Sequence, residues 1–254
     1  MSAPSPRELF EYYQEKSTKV DELRATYENP NWYKRWFYRN RSRAVLQALA
    51  PSGGDFVLDV GAGPGHYGRI LRASGAQVAS LDIARPYLEQ ASHPVRGWAV
   101  MGDAATLPFL DSSFSKVLAT EVVEHTPRPE RVIGEIARVL RPDGRAVVTA
   151  PSRTSYMNRM YELKRRVHRY AFNEHISEMD QKAFRSLLEQ HLTVTGISFA
   201  NCLVPFPLDY ISLRMPPSFE RALTALERSL RSGRGGPVLG WTIIATCEKT
   251  RPSA

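Results

Sequence analysis

Val57-Leu58-Asp59-Val60-Gly61-Ala62-Gly63-Pro64-Gly65 is the stretch that decides the fold. Phe56 to Val60 reads as a short buried strand whose apolar run only Asp59 interrupts, and three glycines at alternate positions follow at once. A helical pattern starts near His66, with Ile70 and Leu71 on one face and Gly75 as its stop signal. Strand, glycine turn and helix in that order is how an open α/β sheet opens a ligand crevice at the carboxyl ends of its strands. Glycine is required where the chain takes a positive φ, and where a Cβ would hold the backbone away from a ligand.

The spacing departs from the dinucleotide fingerprint G-x-G-x-x-G. The third glycine comes one residue early, and His66 stands where that fingerprint needs glycine. The match is G-x-G-x-G, with an acid two positions before the first glycine. This pattern resembles the class I methyltransferases that use S-adenosylmethionine. That cofactor carries no phosphate, and in that family the glycines admit the methionyl part and the ribose. A tight βα turn that binds nothing is the alternative for this stretch taken alone.

Downstream residues bear on the choice. Gln77 to Ile83 reads as a second strand ending in Asp82, 21 positions after Gly61. An acid about 20 residues past such glycines is placed to accept both ribose hydroxyls, since a carboxylate accepts two hydrogen bonds at once. A surface aspartate at a strand end is the plainer reading. A third strand, Trp98 to Asp103, is expected to run into Gly102-Asp103-Ala104 and Leu107-Pro108-Phe109. In the resembled family that acid and the next backbone N–H meet the adenine amino group and ring nitrogen. Lys116 to Thr120 reads as the fourth strand, Glu130 to Leu140 as a helix that Arg141-Pro142-Asp143-Gly144 stops, and Arg145 to Ala150 as the fifth.

Glu124-His125-Thr126-Pro127-Arg128-Pro129 and Arg138-Val139-Leu140-Arg141-Pro142-Asp143-Gly144-Arg145 resemble the small-molecule methyltransferases of ubiquinone and menaquinone biosynthesis. The resemblance spans Phe56 to about Ser152. It implies a cofactor set drawn from the glycine turn (Asp59, Gly61, Ala62, Gly63, Gly65) and from the later strand ends (Asp82, Ile83, Asp103, Ala104, Glu121), with S-adenosylhomocysteine as product.

The end of the fourth strand faces the transferred methyl in this fold. Amino-directed nucleic-acid methylases carry an Asn/Asp-Pro-Pro-aromatic motif there. Thr120-Glu121-Val122-Val123 stands in its place, which counts against base-amino methylation and for a carbon, oxygen or other nitrogen acceptor, with oxygen or carbon favoured. His125 is the candidate general base, since an imidazole can take the proton of a hydroxyl as the methyl arrives. A purely structural turn histidine is the alternative. Glu121, Glu124 and His125 have i, i+3, i+4 spacing, which a helical turn would gather on one side, with His175 downstream as a fourth ligand. Such a set could hold Mg²⁺ against a catechol-like oxygen, but no metal is the favoured expectation.

The 254 residues suffice for one large α/β domain. No 18-residue apolar run occurs, and Met1 to Tyr13 has no apolar core of the kind a signal peptide needs. Two distant cysteines, Cys202 and Cys247, argue for a reducing compartment and packing roles. The expected location is cytoplasmic. A net charge of +8 suits an anionic partner without requiring one.

Trp32 to Arg43 holds five aromatic and five basic residues and no acid. It reads either as a single-strand nucleic-acid platform or, preferably, as an amphipathic helix with its aromatics packed on the sheet. Nucleic acid is not the expected partner. In the resembled family the helices before the sheet close over the cofactor, so Tyr12, Tyr13 or Arg43 could touch its carboxylate. Arg153 to Arg169 forms a basic segment that could face a membrane surface or serve as a solvated lid. Gln181 to His191 reads as a helix started by Asp180 or Glu178, and Leu192 to Ala200 as the sixth strand. Residues 203–217 are apolar and proline-rich, Phe219 to Leu230 reads as a helix, and Gly240 to Cys247 as the last strand.

The expected architecture is α/β: a Rossmann-like, doubly wound, seven-stranded and mostly parallel sheet with N-terminal helices and a helical lid insertion. Residues 1–50 form a helical cap and 51–254 the methyltransferase domain, with insertions at about 152–178 and 203–237 covering the substrate. The expected function is methyl transfer from S-adenosylmethionine to a small hydrophobic acceptor. An RNA methyltransferase and a non-catalytic cofactor-binding protein are the alternatives. A monomer and a homodimer both remain open.

Overall fold

The computed structural model describes residues 5–19, 26–91, 97–156, 159, 179–203, 216–231 and 236–250. Helices α1 (Pro6–Lys19) and α2 (Trp32–Leu49) precede the sheet. Then come β1 (Phe56–Val60), α3 (His66–Ala73), β2 (Gln77–Asp82), α4 (Arg85–Ala91), β3 (Gly97–Met101) and β4 (Phe114–Thr120). A 3₁₀ turn at Val123–His125 leads to α5 (Pro129–Val139) and β5 (Leu140–Pro151). The remainder is α6 (Gln181–Leu188), β6 (Leu192–Ala200), α7 (Pro217–Arg231), the one-turn α8 (Gly236–Leu239) and β7 (Thr242–Lys249).

The seven strands make one sheet in the order β3-β2-β1-β4-β5-β7-β6. β1 pairs in parallel with both β2 and β4, and β7 enters antiparallel between β5 and β6. This is the doubly wound, mostly parallel arrangement expected. Strand order reverses between β1 and β4, and at such a switch point the loops leaving the carboxyl ends part to open a crevice.

Burial follows the alternation of side chains along each strand. Val57, Val78, Leu118, Val147 and Ile244 pack with Val45, Leu49 and Leu71 of α2 and α3. Their neighbours Leu58, Ala79, Val117, Val148 and Ile243 pack on the other face with Ile133, Ile136 and Leu188 of α5 and α6. Strands covered on both faces need near-continuous apolar sequence, which is why β1 tolerates only Asp59.

Caps fix the helix starts. Asn31 accepts from the Tyr33 and Lys34 N–H groups at 2.9 and 3.2 Å. At α6 it is Asp180 that caps, accepting from the Ala183 N–H at 2.8 Å.

Several boundaries differ from the expectation. β3 stops at Met101, and Asp103 lies in the following turn because its carboxylate accepts the Ala105 N–H at 2.8 Å. β5 begins at Leu140 rather than Arg145. Leu140 pairs with Phe114, Arg141–Gly144 bulges out, and pairing resumes at Arg145 opposite Lys116. The basic segment's Met157, Met160 to Arg169, His175, and the apolar stretch 204–215 lie outside the described residues. Among the described residues, no helix is long and apolar enough to cross a membrane.

Candidate active site

The carboxyl ends of β1, β2 and β4 surround a cavity of about 280 Å³. β1 supplies Gly61 and Gly63, β2 supplies Leu81, Asp82 and Ile83, and the β3 turn supplies Gly102, Asp103 and Ala104. Glu121, Val122 and His125 line it after β4, and Thr126, Pro127 and Arg128 continue the rim. Leu9, Tyr13 and Lys16 of α1 close it from above, at the i, i+4, i+7 spacing that one helix face presents.

The glycine turn owes its shape to backbone that other residues resist. Gly61, Gly63 and Gly65 have φ of +66°, +51° and +81°. A Cβ on Gly61 would lie 2.5 Å from Val122 Cγ2, whereas one on Gly63 would meet no atom within 4 Å. The Gly63 position thus holds open the space a ligand would occupy. The Ala62 N–H donates to the Leu81 carbonyl at 3.0 Å, which ties the turn to β2.

Asp82 is the hub of the crevice. Its Oδ2 accepts the Gly63 N–H and its Oδ1 the Ala84 N–H, both at 2.8 Å. Asp103 keeps its second oxygen 3.7 Å from the Arg128 guanidinium. Glu121 sits at φ +54° at the crest of β4, where its N–H meets Thr149 and its Oε1 accepts the Thr149 hydroxyl at 3.0 Å. Its Oε2 faces Arg41 of α2 at 3.4 Å. A non-glycine residue held in the left-handed region is a mark of functional sites.

His125 ends the 3₁₀ turn, with Nδ1 2.8 Å from the Tyr13 hydroxyl and Nε2 3.8 Å from Oε1 of Glu124, which is wholly buried. Gln14, one residue along α1, donates to the Ile83 carbonyl at 2.9 Å. α1 therefore bridges the ends of β2 and β4 across the cavity.

Three expected cofactor residues lie off the cavity wall: Asp59, Ala62 and Gly65. Asp59 is buried within the sheet. Desolvation first, then the Asp82 charge, push its pKa up to about 7, against the pull of Arg72 and the Gly68 N–H. His66 stacks on Tyr27 with ring centroids 3.3 Å apart, and its Nε2 lies 2.8 Å from Ser42 Oγ. Burial, with Arg69, Arg41 and Arg39 nearby, brings its pKa down to about 3. It stays neutral and serves packing.

Glu121, Glu124 and His125 do not share one side: Glu121 turns to Arg41 and Thr149, and Glu124 is buried behind the imidazole. Among the described residues no group of three or more His, Cys, Asp or Glu side chains is placed to hold an ion. The nucleic-acid platform also gives way, because Trp32, Tyr33 and Trp36 are buried against α7 and the chain after β6. Trp36 donates its ring N–H to Thr224 Oγ1 at 3.0 Å. Of the three residues weighed for the cofactor carboxylate, Tyr13 lines the cavity, Tyr12 packs edge-on to it, and Arg43 faces α7 in a separate groove. The roles of Lys16, Tyr87 and Arg128 on the wall carry no local sequence signal.

Residues 58–148 match the family described as a methyltransferase domain. The chain is 36% identical over 109 residues to a demethylmenaquinone methyltransferase of Clavibacter sepedonicus, covering 41% of this chain and 44% of that protein. It is 31% identical over 142 residues to a ubiquinone/menaquinone biosynthesis C-methyltransferase of a Ruegeria species, covering 51% and 54%. The chain thus spans about half the length of these curated relatives. Among solved structures, a geranyl diphosphate C-methyltransferase of Streptomyces coelicolor A3(2), in complex with Mg²⁺, geranyl diphosphate and S-adenosylhomocysteine, superposes with a TM-score of 0.67 at 11% identity, over 98% of this chain and 100% of that one. That likeness concerns the fold. Fold and motifs point the same way: residues 58–148 are similar to a methyltransferase domain. That matched core runs from β1 through the strand ends that build the cavity and into β5.

Proposed function

We propose that this protein transfers the methyl group of S-adenosylmethionine to a small, apolar acceptor at oxygen or carbon. The observation that carries the reading is the convergence of Gly61, Gly63, Asp82, Asp103, Ala104 and His125 on one cavity roofed by α1. When bound, S-adenosylmethionine supplies an electrophilic methyl group on a sulfonium.

The residues fit such a group. Asp82 would be the acceptor for a ribose, as a carboxylate whose oxygens take the Gly63 and Ala84 N–H groups beside the glycine turn. Asp103 and the Ala104 N–H would face the adenine edge as acceptor and donor. The open space above Gly63 would take the methionyl chain. Val122, Leu9 and Ile83 supply apolar wall, which suits a sulfonium neighbour that loses its charge as the methyl leaves. His125 would be the base on which the charge of the released proton comes to rest, and α1 would keep water from the transfer. A good leaving group leaves in-line positioning as the main task of the protein.

Calorimetry with S-adenosylhomocysteine tests the cofactor half: measurable binding is expected, and none would overturn the reading. Methyl transfer from labelled S-adenosylmethionine, with demethylmenaquinol, catechol and a simple aliphatic alcohol offered separately, tests the acceptor half. Product with an acceptor bearing an ionisable ring hydroxyl is expected. Binding without transfer to any of them would favour a non-catalytic protein.

A further inference from the structure

The two nitrogens of the His125 ring face different groups. Nδ1 lies 2.8 Å from the Tyr13 hydroxyl, and Nε2 faces the buried Glu124 carboxylate at 3.8 Å. A general base has to lie within hydrogen-bond reach of the proton it takes, and the ring nitrogen on the α1 side is already occupied by Tyr13. Resting on the methyl-transfer reading above, we propose that Tyr13 is the catalytic residue that meets the acceptor. In this arrangement its hydroxyl takes the proton of an ionisable ring or enol hydroxyl as its own proton passes to His125 Nδ1.

The step balances. The new bond joins the methyl carbon to the acceptor, and the electron pair of the broken carbon–sulfur bond stays on sulfur. The acceptor's proton goes to the Tyr13 oxygen, and Tyr13's proton goes to Nδ1. The positive charge that leaves the sulfonium thus reappears on the imidazole, beside Glu124. Glu124 acts through His125 and is a positioning residue: its buried carboxylate, 3.8 Å from Nε2, is the anion that faces the imidazolium as it forms.

The surroundings suit a phenol that gives up its proton. Lys16 Nζ lies 5.8 Å from the Tyr13 ring centroid, and the Tyr13 and His125 rings meet edge-on with centroids 5.8 Å apart. The other charged groups around the cavity are Glu121 beyond β4, Arg128 on the rim, and Asp82 and Asp103 across from them. Gln14 pins the same turn of α1 to the Ile83 carbonyl without touching the proton path. That separation allows a proton relay to be told from a simple latch.

Tyr13→Phe and Gln14→Ala are compared in the full chain. With demethylmenaquinol or catechol as acceptor, Tyr13→Phe is expected to lower kcat by about a hundredfold or more, while S-adenosylhomocysteine affinity by calorimetry stays within about threefold. Gln14→Ala is expected to leave kcat within about threefold of the parent. Nitrogen-15 spectra of histidine-labelled protein with S-adenosylhomocysteine give a readout that needs no turnover. The His125 Nδ1 resonance should sit at a hydrogen-bonded position in the parent and in Gln14→Ala, and move to a free-acceptor position in Tyr13→Phe. An unchanged kcat in Tyr13→Phe, an Nδ1 signal that does not move, or an equal loss in Gln14→Ala would overturn the relay while leaving methyl transfer standing. Absence of turnover in the parent would overturn both readings.

Discussion

Asp82 Oδ2 accepts a hydrogen bond from the Gly63 N–H at 2.8 Å, so the acid that ends β2 also shapes the glycine turn that ends β1. The two motifs are one device. Asp82→Ala removes an anionic acceptor from a ribose and frees the turn at the same time. Hydrogen bonds to a charged group contribute about 1.5–3 kcal/mol, so S-adenosylhomocysteine should bind about 10- to 100-fold more weakly. Calorimetry checks it, and an unchanged affinity would remove Asp82 from the site.

Gly61→Ala should damage the site from inside the backbone. A left-handed residue with a Cβ costs about 1–2 kcal/mol, and here the new methyl would also push on Val122 Cγ2 at 2.5 Å. Val122 is β-branched and stiff at χ1, so the strain passes to a residue of the cavity wall. Urea denaturation should show a loss of about that size, accompanied by weaker cofactor binding. Full stability together with full affinity would show that the turn tolerates what its φ of +66° argues against.

The residues that sequence made legible are those whose signal is local. Phe56–Val60, the three glycines and Asp82 lie within one strand–turn–helix–strand unit, and each is fixed by backbone sterics or by the need for a strand-end acceptor. Asp103 reads from the sequence as the acid that ends the third strand, yet it lies beyond β3, in a turn where it accepts the Ala105 N–H. Arg141-Pro142-Asp143-Gly144 carries every mark of a stop, yet pairing of Leu140 with Phe114 turns it into a bulge within β5. Trp32, Tyr33 and Trp36 alternate with bases, and composition does not reveal which face α7 covers. Tyr13 and His125 are 112 positions apart, so their contact has no sequence signature at all.

Glu227 of α7 should prove a point of high structural stress when removed. It is fully buried and accepts the Cys202 and Leu203 N–H groups at 3.0 and 2.9 Å, which holds the chain leaving β6. One turn later Arg231 reaches α2, donating to Asn40 Oδ1 at 2.6 Å and to the Asn40 carbonyl at 3.1 Å. Glu227→Ala would strand two N–H groups and remove a carboxylate whose field favours the Arg231 charge. Leaving buried N–H groups without an acceptor costs about 1–3 kcal/mol each. Glu227→Gln keeps one acceptor oxygen and should cost less. Equal urea midpoints for Glu227→Ala and the parent would show that α7 is not anchored this way.

Asp59 should make stability fall as pH rises. Burial first, and then the Asp82 charge, lift its carboxyl to about 7 in the folded chain, against an ordinary aspartate value of 3.8. Between those two pH values the folded protein keeps a proton that the unfolded chain has released, so raising the pH favours unfolding. Below the lower value both states are protonated and the penalty is absent; above about 7 it is complete. Asp59→Asn removes the titration while keeping the shape, and Asp59 does not touch the cavity, so cofactor affinity should survive. The variant should therefore gain on the parent by up to a few kcal/mol at pH 8, with the gain shrinking steadily towards pH 4. Urea denaturation of both proteins across that range tests it. A difference that stays constant with pH would mean that Asp59 is ionised throughout, with Arg72 and the Gly68 N–H outweighing its burial.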